Sequence, residues 1–189
     1  LGILITISRA IAQADDPAKR AIEFREAINQ FRRKRPVPTS MLPPNLGILA
    51  DALLEGGCVR FGDFTLKSGL QSPIYIDLRR LVSNPSLLAR TAAAYQPLLR
   101  LLSSDRIAAL PYAAIPIGTA LALQIGRPMV YPRKEVKDYG TKAAIEGIYN
   151  PGEKVVLIDD VATTGESKFE AIEHLNQAGL QVQDIVVLI

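Results

Sequence analysis

Residues 153–179, EKVVLIDDVATTGESKFEAIEHLNQAG, decide the fold of this chain. The run from Val155 to Ile158 is apolar and rich in β-branched residues, which is typical of a strand buried on both faces of a parallel sheet. Asp159 and Asp160 end that strand. A helical pattern then follows, made of Phe169, Ile172, Leu175 and Ala178, with Gly179 as its stop. The stretch therefore predicts a strand, a loop and a helix.

The loop between the predicted strand and helix has residue types that bind an anion. Thr163 to Ser167 would expose backbone N–H groups and hydroxyls at a helix N-terminus, where the helix dipole adds partial positive charge. The Walker and GxGxxG motifs are absent, which argues against a mononucleotide P-loop and a dinucleotide site. Because two acids just upstream would repel a phosphate, we expect them to accept hydrogen bonds from ligand hydroxyls. A sugar phosphate has both groups. A plain strand-to-helix turn capped by two aspartates is the alternative interpretation.

The segment VVLIDDVATTGES (155–167) resembles the phosphoribosyl-diphosphate binding motif of the type I phosphoribosyltransferases. This resemblance implies an α/β fold with a central, mostly parallel sheet flanked by helices and a small N-terminal hood. It implies that Asp159 and Asp160 contact the ribose hydroxyls, and that Thr163 also faces the base. The loop that holds the 5′-phosphate would comprise Ala162, Thr163, Thr164, Gly165, Glu166 and Ser167, and Val161 just before it is also expected to bind substrate.

A second stretch, FGDFTLKSGLQSPIYIDLR (61–79), is similar to the hood of the orotate phosphoribosyltransferases in particular. The similarity implies that Lys67 approaches the diphosphate. It also implies that Ile74 and Tyr75 lie at the base-contact positions. Taken without the other motifs, Lys67 would be interpreted as an exposed hairpin lysine.

A third stretch, YPRKEVKDYGTK (131–142), looks like the catalytic loop of the same enzymes, which implies that Arg133, Lys134 and Lys137 grasp the diphosphate. Many members have a histidine where this chain has Tyr139, so Tyr139 is expected only to donate a hydrogen bond to a phosphate. Tyr112 lies in a strand-end loop that backs onto the diphosphate in the family. The next residue is Ala113, whereas bacterial members often have a lysine there. One expected cation is therefore absent.

The reaction implied by the resemblance joins orotate N1 to ribose C1 of phosphoribosyl diphosphate and expels diphosphate. Mg²⁺ would be held mainly by the substrate, with no direct protein ligand, and the family suggests a homodimer with shared active sites. Three alternatives remain open: a purine phosphoribosyltransferase, a regulator that binds phosphoribosyl diphosphate without turnover, and a basic RNA-binding adaptor that uses residues 32–35.

The N-terminal part of the chain has a different character. Residues 1–34 predict one strand and one helix, and ITISRAIAQADDPAKRAIEFREAIN (5–29) resembles the C-terminal end of orotidine 5′-phosphate decarboxylases. An unrelated helical extension is the alternative. Residues 35–45 predict a Pro-rich linker, and residues 46–189 a transferase domain that lacks its C-terminal part, including an orotate-binding arginine. The missing initiator Met agrees with a piece of a fused decarboxylase and transferase.

Composition narrows the class of protein further. The 189 residues suffice for one full-sized domain, and a net charge of +3 does not require nucleic acid as a partner. The chain has a single cysteine, Cys58, which excludes a disulfide framework. With only one histidine, His174, in addition, a zinc site is improbable. Cys58 is expected to be a packed thiol and His174 a surface or satisfied side chain. No apolar run approaches the ~20 residues of a membrane span, and cysteine usage agrees with a cytoplasmic location.

Periodicity predicts further elements of the transferase domain. Two short strands are expected around a turn at 69–73. The other predicted elements are helices at 46–56, 87–102 and 119–124 and strands at 107–110 and 128–131.

Overall fold

The computed structural model describes residues 46–65, 69, 71–134, 144–162 and 166–189. The predicted decarboxylase-like segment (1–34) and linker (35–45) lie outside the described residues, so their assignment stays a prediction. The described part contains these elements in chain order: α1 (Leu46–Glu55), β1 (Val59–Thr65), β2 (Gln71–Ile76), a 3₁₀ helix (Leu78–Ser83), α2 (Pro85–Leu99), β3 (Arg106–Ala109), α3 (Ala114–Ile125), β4 (Met129–Pro132), β5 (Ile145–Glu146), β6 (Lys154–Asp159), α4 (Glu166–Gln177) and β7 (Gln181–Val187).

The main sheet has five strands in the order β5-β4-β3-β6-β7. Strand β6 pairs in parallel with both β3 and β7, β3 pairs in parallel with β4, and β5 runs antiparallel to β4. The chain crosses from β3 to β4 in one direction and from β6 to β7 in the other. Since such crossovers are right-handed, α3 and α4 lie on opposite faces of the sheet. The predicted α/β architecture with a mostly parallel sheet is confirmed.

Strand β6 is the centre of the core, as its sequence predicts. Its four apolar residues, Val155 to Ile158, are all buried, although successive side chains point to opposite faces. Both faces are therefore covered, and the strand can be apolar throughout. The helix that follows ends near Gly179, whose φ of +85° agrees with its predicted role as a stop.

A separate two-stranded antiparallel sheet, β1 and β2, forms the predicted hood. The backbone N–H of Asp77 donates to the carbonyl of Cys58 at the base of this hairpin (2.7 Å). Cys58 is buried as predicted, and burial raises the pKa of its thiol. The single cysteine is thus a packed side chain.

Three local predictions were wrong. Strand β2 begins at Gln71, because Gln71 pairs with Thr65. Residues 71–73 of the predicted turn therefore belong to the strand. Helix α3 begins at Ala114 instead of Thr119, since Pro116 falls in the first turn, where no intrahelical N–H donor is required. Phe169 is 71% exposed, because the inner face of α4 is formed by Lys168, Ala171 and Leu175 instead.

The edge of the sheet where the parallel strands begin is held by an ion pair. Arg106, at the start of β3, donates from its guanidinium to Glu153 Oε1 (2.8 Å), just before β6. The hydrogen bond from Arg106, aided by the backbone of Asn150, lowers the pKa of Glu153 to about 2. The ionised carboxylate of Glu153 therefore stabilises the fold. This stabilisation is complete above the ordinary pKa of a glutamate and is lost as pH falls through about 2.

Within the described part of the chain, no helix has the length and apolar character needed to cross a membrane.

The packing of α3 on the sheet gives a test with a matched control. A Cβ added at Gly118 would lie 2.8 Å from Ala109 Cβ and 2.8 Å from Met129 Sδ, whereas nothing lies within 4 Å of one added at Gly47 in α1. We expect Gly118→Ala to lower the free energy of unfolding by about 1 kcal/mol, because overpacking outweighs the gain in helix propensity. Gly47→Ala should be neutral or stabilising. Urea unfolding of both variants measures the difference, and equal stabilities would contradict this packing.

Candidate active site

The carboxyl ends of β3 and β6 meet at a topological switch point. The two strands are neighbours in the sheet, but the chain leaves β3 towards β4 and leaves β6 towards β7. Because the connections diverge, a crevice is expected outside the strand ends, which is where open α/β sheets bind their ligands. The predicted acid pair lies at this point, since Asp159 is the last residue of β6 and Asp160 follows it.

Asp159 is only 5% exposed, and both of its carboxylate oxygens have partners. Oδ2 forms an ion pair with Lys168 Nζ. Oδ1 accepts a hydrogen bond from the backbone N–H of Asp160 (2.9 Å). A carboxylate is costly to bury unless it is paired in this way. Asp159 thus faces the protein interior, a distinction that its sequence motif does not reveal.

Lys168 is the functional neighbour that sequence reasoning missed. It lies in the first turn of α4, is 7% exposed, and donates to the carbonyl of Val161 as well as pairing with Asp159. A signal was present: Lys168 precedes Ala171 and Leu175 by three and seven residues, so it shares the buried face of the helix. A lysine on an apolar face indicates a buried counter-charge.

Tyr95, on α2, contacts the same end of β6. Its hydroxyl donates to the backbone carbonyl of Asp159 (2.8 Å), and its ring is fully buried. Burial first, and then the charges of Asp160 and Asp159, raise the pKa of Tyr95 well above its usual value. The hydroxyl therefore stays a neutral donor at physiological pH. The sequence pattern placed Tyr95 only in a helix.

Asp160 has a different environment from Asp159. It is half-buried, and no described cation forms an ion pair with its carboxyl group. Burial, followed by the hydrogen bond and charge of Asp159, raises the pKa of Asp160 to about 7. Its backbone is held firmly, since its carbonyl accepts from Ile189 N–H (3.1 Å). Asp160 is therefore the more accessible member of the acid pair.

The residues after Asp160 are held next to the end of β7. Ala162 N–H donates to the Ile189 carbonyl (2.8 Å), and Val161 is fixed through Lys168. Ser167 is exposed in the first turn of α4, which begins at Glu166. Val161, Ala162 and Ser167 thus lie on either side of residues 163–165 in the chain, and their assignment to an anion site stays a prediction. The rest of the predicted loop, Thr163, Thr164 and Gly165, lies outside the described residues.

The start of the predicted catalytic loop lies at the same edge of the sheet. Lys134 Nζ is 5.2 Å from the centre of the Tyr112 ring, and that ring is 63% exposed. This contact joins the connections that follow β3 and β4, and the peptide bond before Tyr112 is cis. Arg133 instead pairs with Glu146 on β5. Lys137 and Tyr139 lie outside the described residues.

The two described hood residues of the predicted site, Ile74 and Tyr75, lie in a sheet separate from the one that carries the acid pair. Ile74 and Tyr75 are half-buried on β2, and Tyr75 packs against Phe64 with ring centres 5.4 Å apart. The Arg60 guanidinium lies 5.1 Å from the centre of the Tyr75 ring. Among the described residues, no hydrogen bond, ion pair or aromatic contact joins Tyr75 to Asp159 or Asp160. Lys67 lies outside the described residues, so all three base and diphosphate contacts assigned to the hood stay predictions.

The described residues contain no group of three or more His, Cys, Asp or Glu side chains that could hold a metal ion. At the strand end, Asp159 is already neutralised by Lys168. His174, on α4, is half-buried and takes no part in the acid pair.

Known proteins similar to this chain decide its family. The bifunctional enzyme PyrF/PyrE of Nostoc sp. is 37% identical over 199 residues, which cover 100% of this chain and 42% of that protein. The orotate phosphoribosyltransferase of Pyrococcus abyssi is 38% identical over 143 residues, which cover 75% of this chain and 79% of that protein. The chain belongs to the orotate phosphoribosyltransferase family. No family model matches it.

Solved orotate phosphoribosyltransferases and their fused relatives share the fold. The structure of Leishmania donovani UMP synthase has a TM-score of 0.69 and 50% identity, and covers 100% of this chain and 39% of that one. Mycobacterium tuberculosis orotate phosphoribosyltransferase in complex with 5-phospho-α-D-ribosyl 1-diphosphate has a TM-score of 0.63 and 26% identity, and covers 77% and 82%. The resemblance to type I phosphoribosyltransferases is confirmed. The chain spans less than half the length of its fused relatives.

The raised pKa of Asp160 predicts a stability that depends on pH. An unfolded aspartate has a pKa of about 3.9, so the folded state binds this proton more tightly. The stabilisation is complete below about pH 4 and is lost as pH rises through about 7. We expect Asp160→Asn to melt a few degrees above the wild type at pH 8, and the two proteins to converge near pH 4.5. Thermal unfolding followed by circular dichroism between pH 4.5 and 8 measures the difference.

Asp51→Asn, on the exposed surface of α1, is the control and should leave the melting curve unchanged. Glu153 titrates below this window and does not interfere. A difference between Asp160→Asn and wild type that is independent of pH would contradict the assigned environment of Asp160.

Proposed function

We propose that this chain is the orotate phosphoribosyltransferase part of a longer bifunctional protein. It would transfer the 5-phosphoribosyl group from phosphoribosyl diphosphate to orotate, yielding orotidine 5′-phosphate and diphosphate in pyrimidine biosynthesis. Family membership supports the reaction class. The match to the bifunctional enzyme PyrF/PyrE covers the whole chain, which supports the fusion. Residues 1–34 would then be the C-terminal end of the decarboxylase part.

The observation that carries the proposal is the half-exposed carboxyl of Asp160 at the switch point, close to the N-terminus of α4. A carboxylate accepts hydrogen bonds and suits the ribose hydroxyls. The helix N-terminus supplies N–H groups and partial positive charge, which suit the 5′-phosphate. A pentose phosphate carries both groups with the spacing of one sugar ring. The M. tuberculosis enzyme, of similar fold, has been solved with such a ligand.

In the proposed reaction, orotate N1 forms a bond to ribose C1 while the bond from C1 to the diphosphate oxygen breaks. Orotate carries its negative charge on nitrogen, so the protein need supply no nucleophile. Positive charge develops at C1 and negative charge on the leaving oxygen. The acid pair would lie on the side of the ring where positive charge develops, and the cations after β4 on the side of the leaving group. Lid closure would exclude water from the cationic sugar.

Mg²⁺ would enter this site as the complex of the diphosphate substrate, where it offsets charge on the leaving group. The lack of a preformed cluster of metal ligands in the described residues is compatible with a cation carried by substrate oxygens. Lys134 would supply charge from the protein, and its tyrosine contact leaves its ammonium without a carboxylate partner among the described residues. Lys67, Lys137 and Tyr139 would complete the cationic side.

Assembly and location extend the proposal. A homodimer with shared active sites is proposed from the family, and a cytoplasmic location from the single, buried, reduced cysteine. Neither is needed for the chemistry at the acid pair. Nucleic acid and membrane play no part in the proposed reaction.

Purified protein incubated with Mg²⁺ and phosphoribosyl diphosphate should consume orotate but not adenine or hypoxanthine, as followed by diphosphate release. Asp160→Asn should raise KM for phosphoribosyl diphosphate roughly 10- to 100-fold, because hydrogen bonds to a charged group contribute about 1.5–3 kcal/mol. Asp51→Asn should behave as the wild type. Binding of the diphosphate sugar without turnover would indicate the regulator instead. Transfer to a purine would overturn the orotate assignment.

The predicted catalytic loop has a test of its own. Lys137→Ala should lower kcat by ~10²–10³ with a modest change in KM for phosphoribosyl diphosphate, since one well-placed donor contributes about that much in the transition state. Lys154→Ala, on an exposed side chain at the start of β6, is the control. Steady-state kinetics with orotate measure both variants. A near-normal turnover in Lys137→Ala would remove the loop from the mechanism.

A further inference from the structure

The buried lysine beside the acid pair is unexpected on physical grounds. Lys168 lies in the first turn of α4, where the helix dipole disfavours a cation. It is also almost fully buried, and a buried ammonium group is costly unless it is paired. Helix propensity and solubility therefore do not explain this residue. Its two described contacts do: the carboxylate of Asp159 and the carbonyl of Val161.

These contacts give the two aspartates different tasks. Asp159 has one oxygen engaged by Lys168 and the other by the N–H of Asp160, and almost none of its surface is accessible. Asp160 is half-buried and forms no described ion pair. A ligand that approaches from the crevice would therefore meet Asp160 first.

The cation also offsets negative charge at the acid pair. Two adjacent carboxyl groups without compensation tend to share one proton, because like charges disfavour double ionisation. The groups that face Asp159 in the described residues are Lys168 from α4, Tyr95 from α2 and Asp160 from the loop. Of these, Lys168 alone carries positive charge. It is therefore the one described group facing Asp159 that offsets the negative charge of the acid pair.

We propose that Lys168 is a positioning residue of the phosphoribosyl site: it holds Asp159 against the sheet and ties Val161 to α4, so that Asp160 is the acid presented to the ribose hydroxyls. This inference rests on the proposed function, and it assigns unequal roles to acids that the motif treats as equivalent. Lys168 itself does not touch the ligand. Its effect passes through Asp159 and the backbone of the loop.

Kinetics of Lys168→Met as a function of pH test the proposal. Without the cation, the acid pair should retain a proton to higher pH. We expect KM for phosphoribosyl diphosphate to rise at least ~10-fold near pH 6 and to recover towards pH 8.5. KM for orotate should change less than about twofold. Lys168→Arg should retain most of the wild-type affinity, and Lys154→Met should match the wild type. A loss that is equal at every pH, or that Lys168→Arg does not rescue, would overturn the inference.

A ligand-free measurement separates this inference from the proposed function. Carbon-13 NMR of the aspartate carboxyl groups should show the titration midpoint of the Asp159 and Asp160 pair rising by at least ~1 pH unit in Lys168→Met. An unchanged midpoint overturns the role of Lys168 whatever the enzyme does. A shifted midpoint in a protein that transfers nothing to orotate supports that role and refutes the proposed reaction alone.

A second variant keeps the test available if Lys168→Met does not fold. Lys168→Gln is also neutral, but its amide can still donate to the Val161 carbonyl, so we expect it to fold and to show the same shift in pH dependence. The double variant Lys168→Met/Asp159→Asn removes both charges together. It should regain thermal stability that Lys168→Met loses, because neither charge is then left unpaired. A double variant less stable than Lys168→Met would contradict the pairing.

Discussion

The ion pair between Lys168 and Asp159 joins the two elements on which the candidate site depends. Strand β6 is apolar from Val155 to Ile158, because both of its faces are covered there. Polar chemistry can therefore begin only where the strand ends, and Asp159 is its last residue. The helix that follows must then dock close enough to offer its N-terminus to a ligand. One buried charge on each element, positive on Lys168 and negative on Asp159, makes that docking specific.

Most of the architecture could be predicted because it follows from local pattern. The apolar run of β6, the glycine that ends α4 and the alternation of the hood each depend on residues adjacent in sequence. Two predicted element ends were wrong because residue type alone does not determine them. The start of β2 depends on the pairing of Gln71 with Thr65, and the start of α3 on Pro116 lying in the first turn of the helix. Phe169 belongs to the apolar pattern by which the sequence predicts α4, but its side chain is exposed. The structure buries Lys168 instead, since an unpaired Asp159 would be costlier than an exposed ring.

The candidate site could be predicted less completely for a similar reason. The motif placed Asp159 and Asp160 at one strand end, but it could not show which would be covered. That depends on Lys168, nine residues away, and on Tyr95 from an earlier helix. The two ends of β6 also differ in electrostatic character. Glu153 is stabilised in its charged form at one end, whereas Asp160 is disfavoured in its charged form at the other. The paired Glu153, and Asp160 with no ion pair among the described residues, are thus distinguished by the direction of their pKa shifts.

Arg133 and Lys134, the two cations directly after β4, form contacts of different kinds. Arg133 is tied to a carboxylate on β5, whereas Lys134 rests on an exposed tyrosine ring. An exposed cation–π contact contributes only about 0.5–1 kcal/mol, so an arriving phosphate can outcompete it. The partner of Arg133 is thus a charged side chain of the sheet, whereas the described partner of Lys134 is a neutral ring. In the proposed reaction, Lys134 would therefore reach the diphosphate without breaking a described ion pair, whereas Arg133 would first have to leave Glu146.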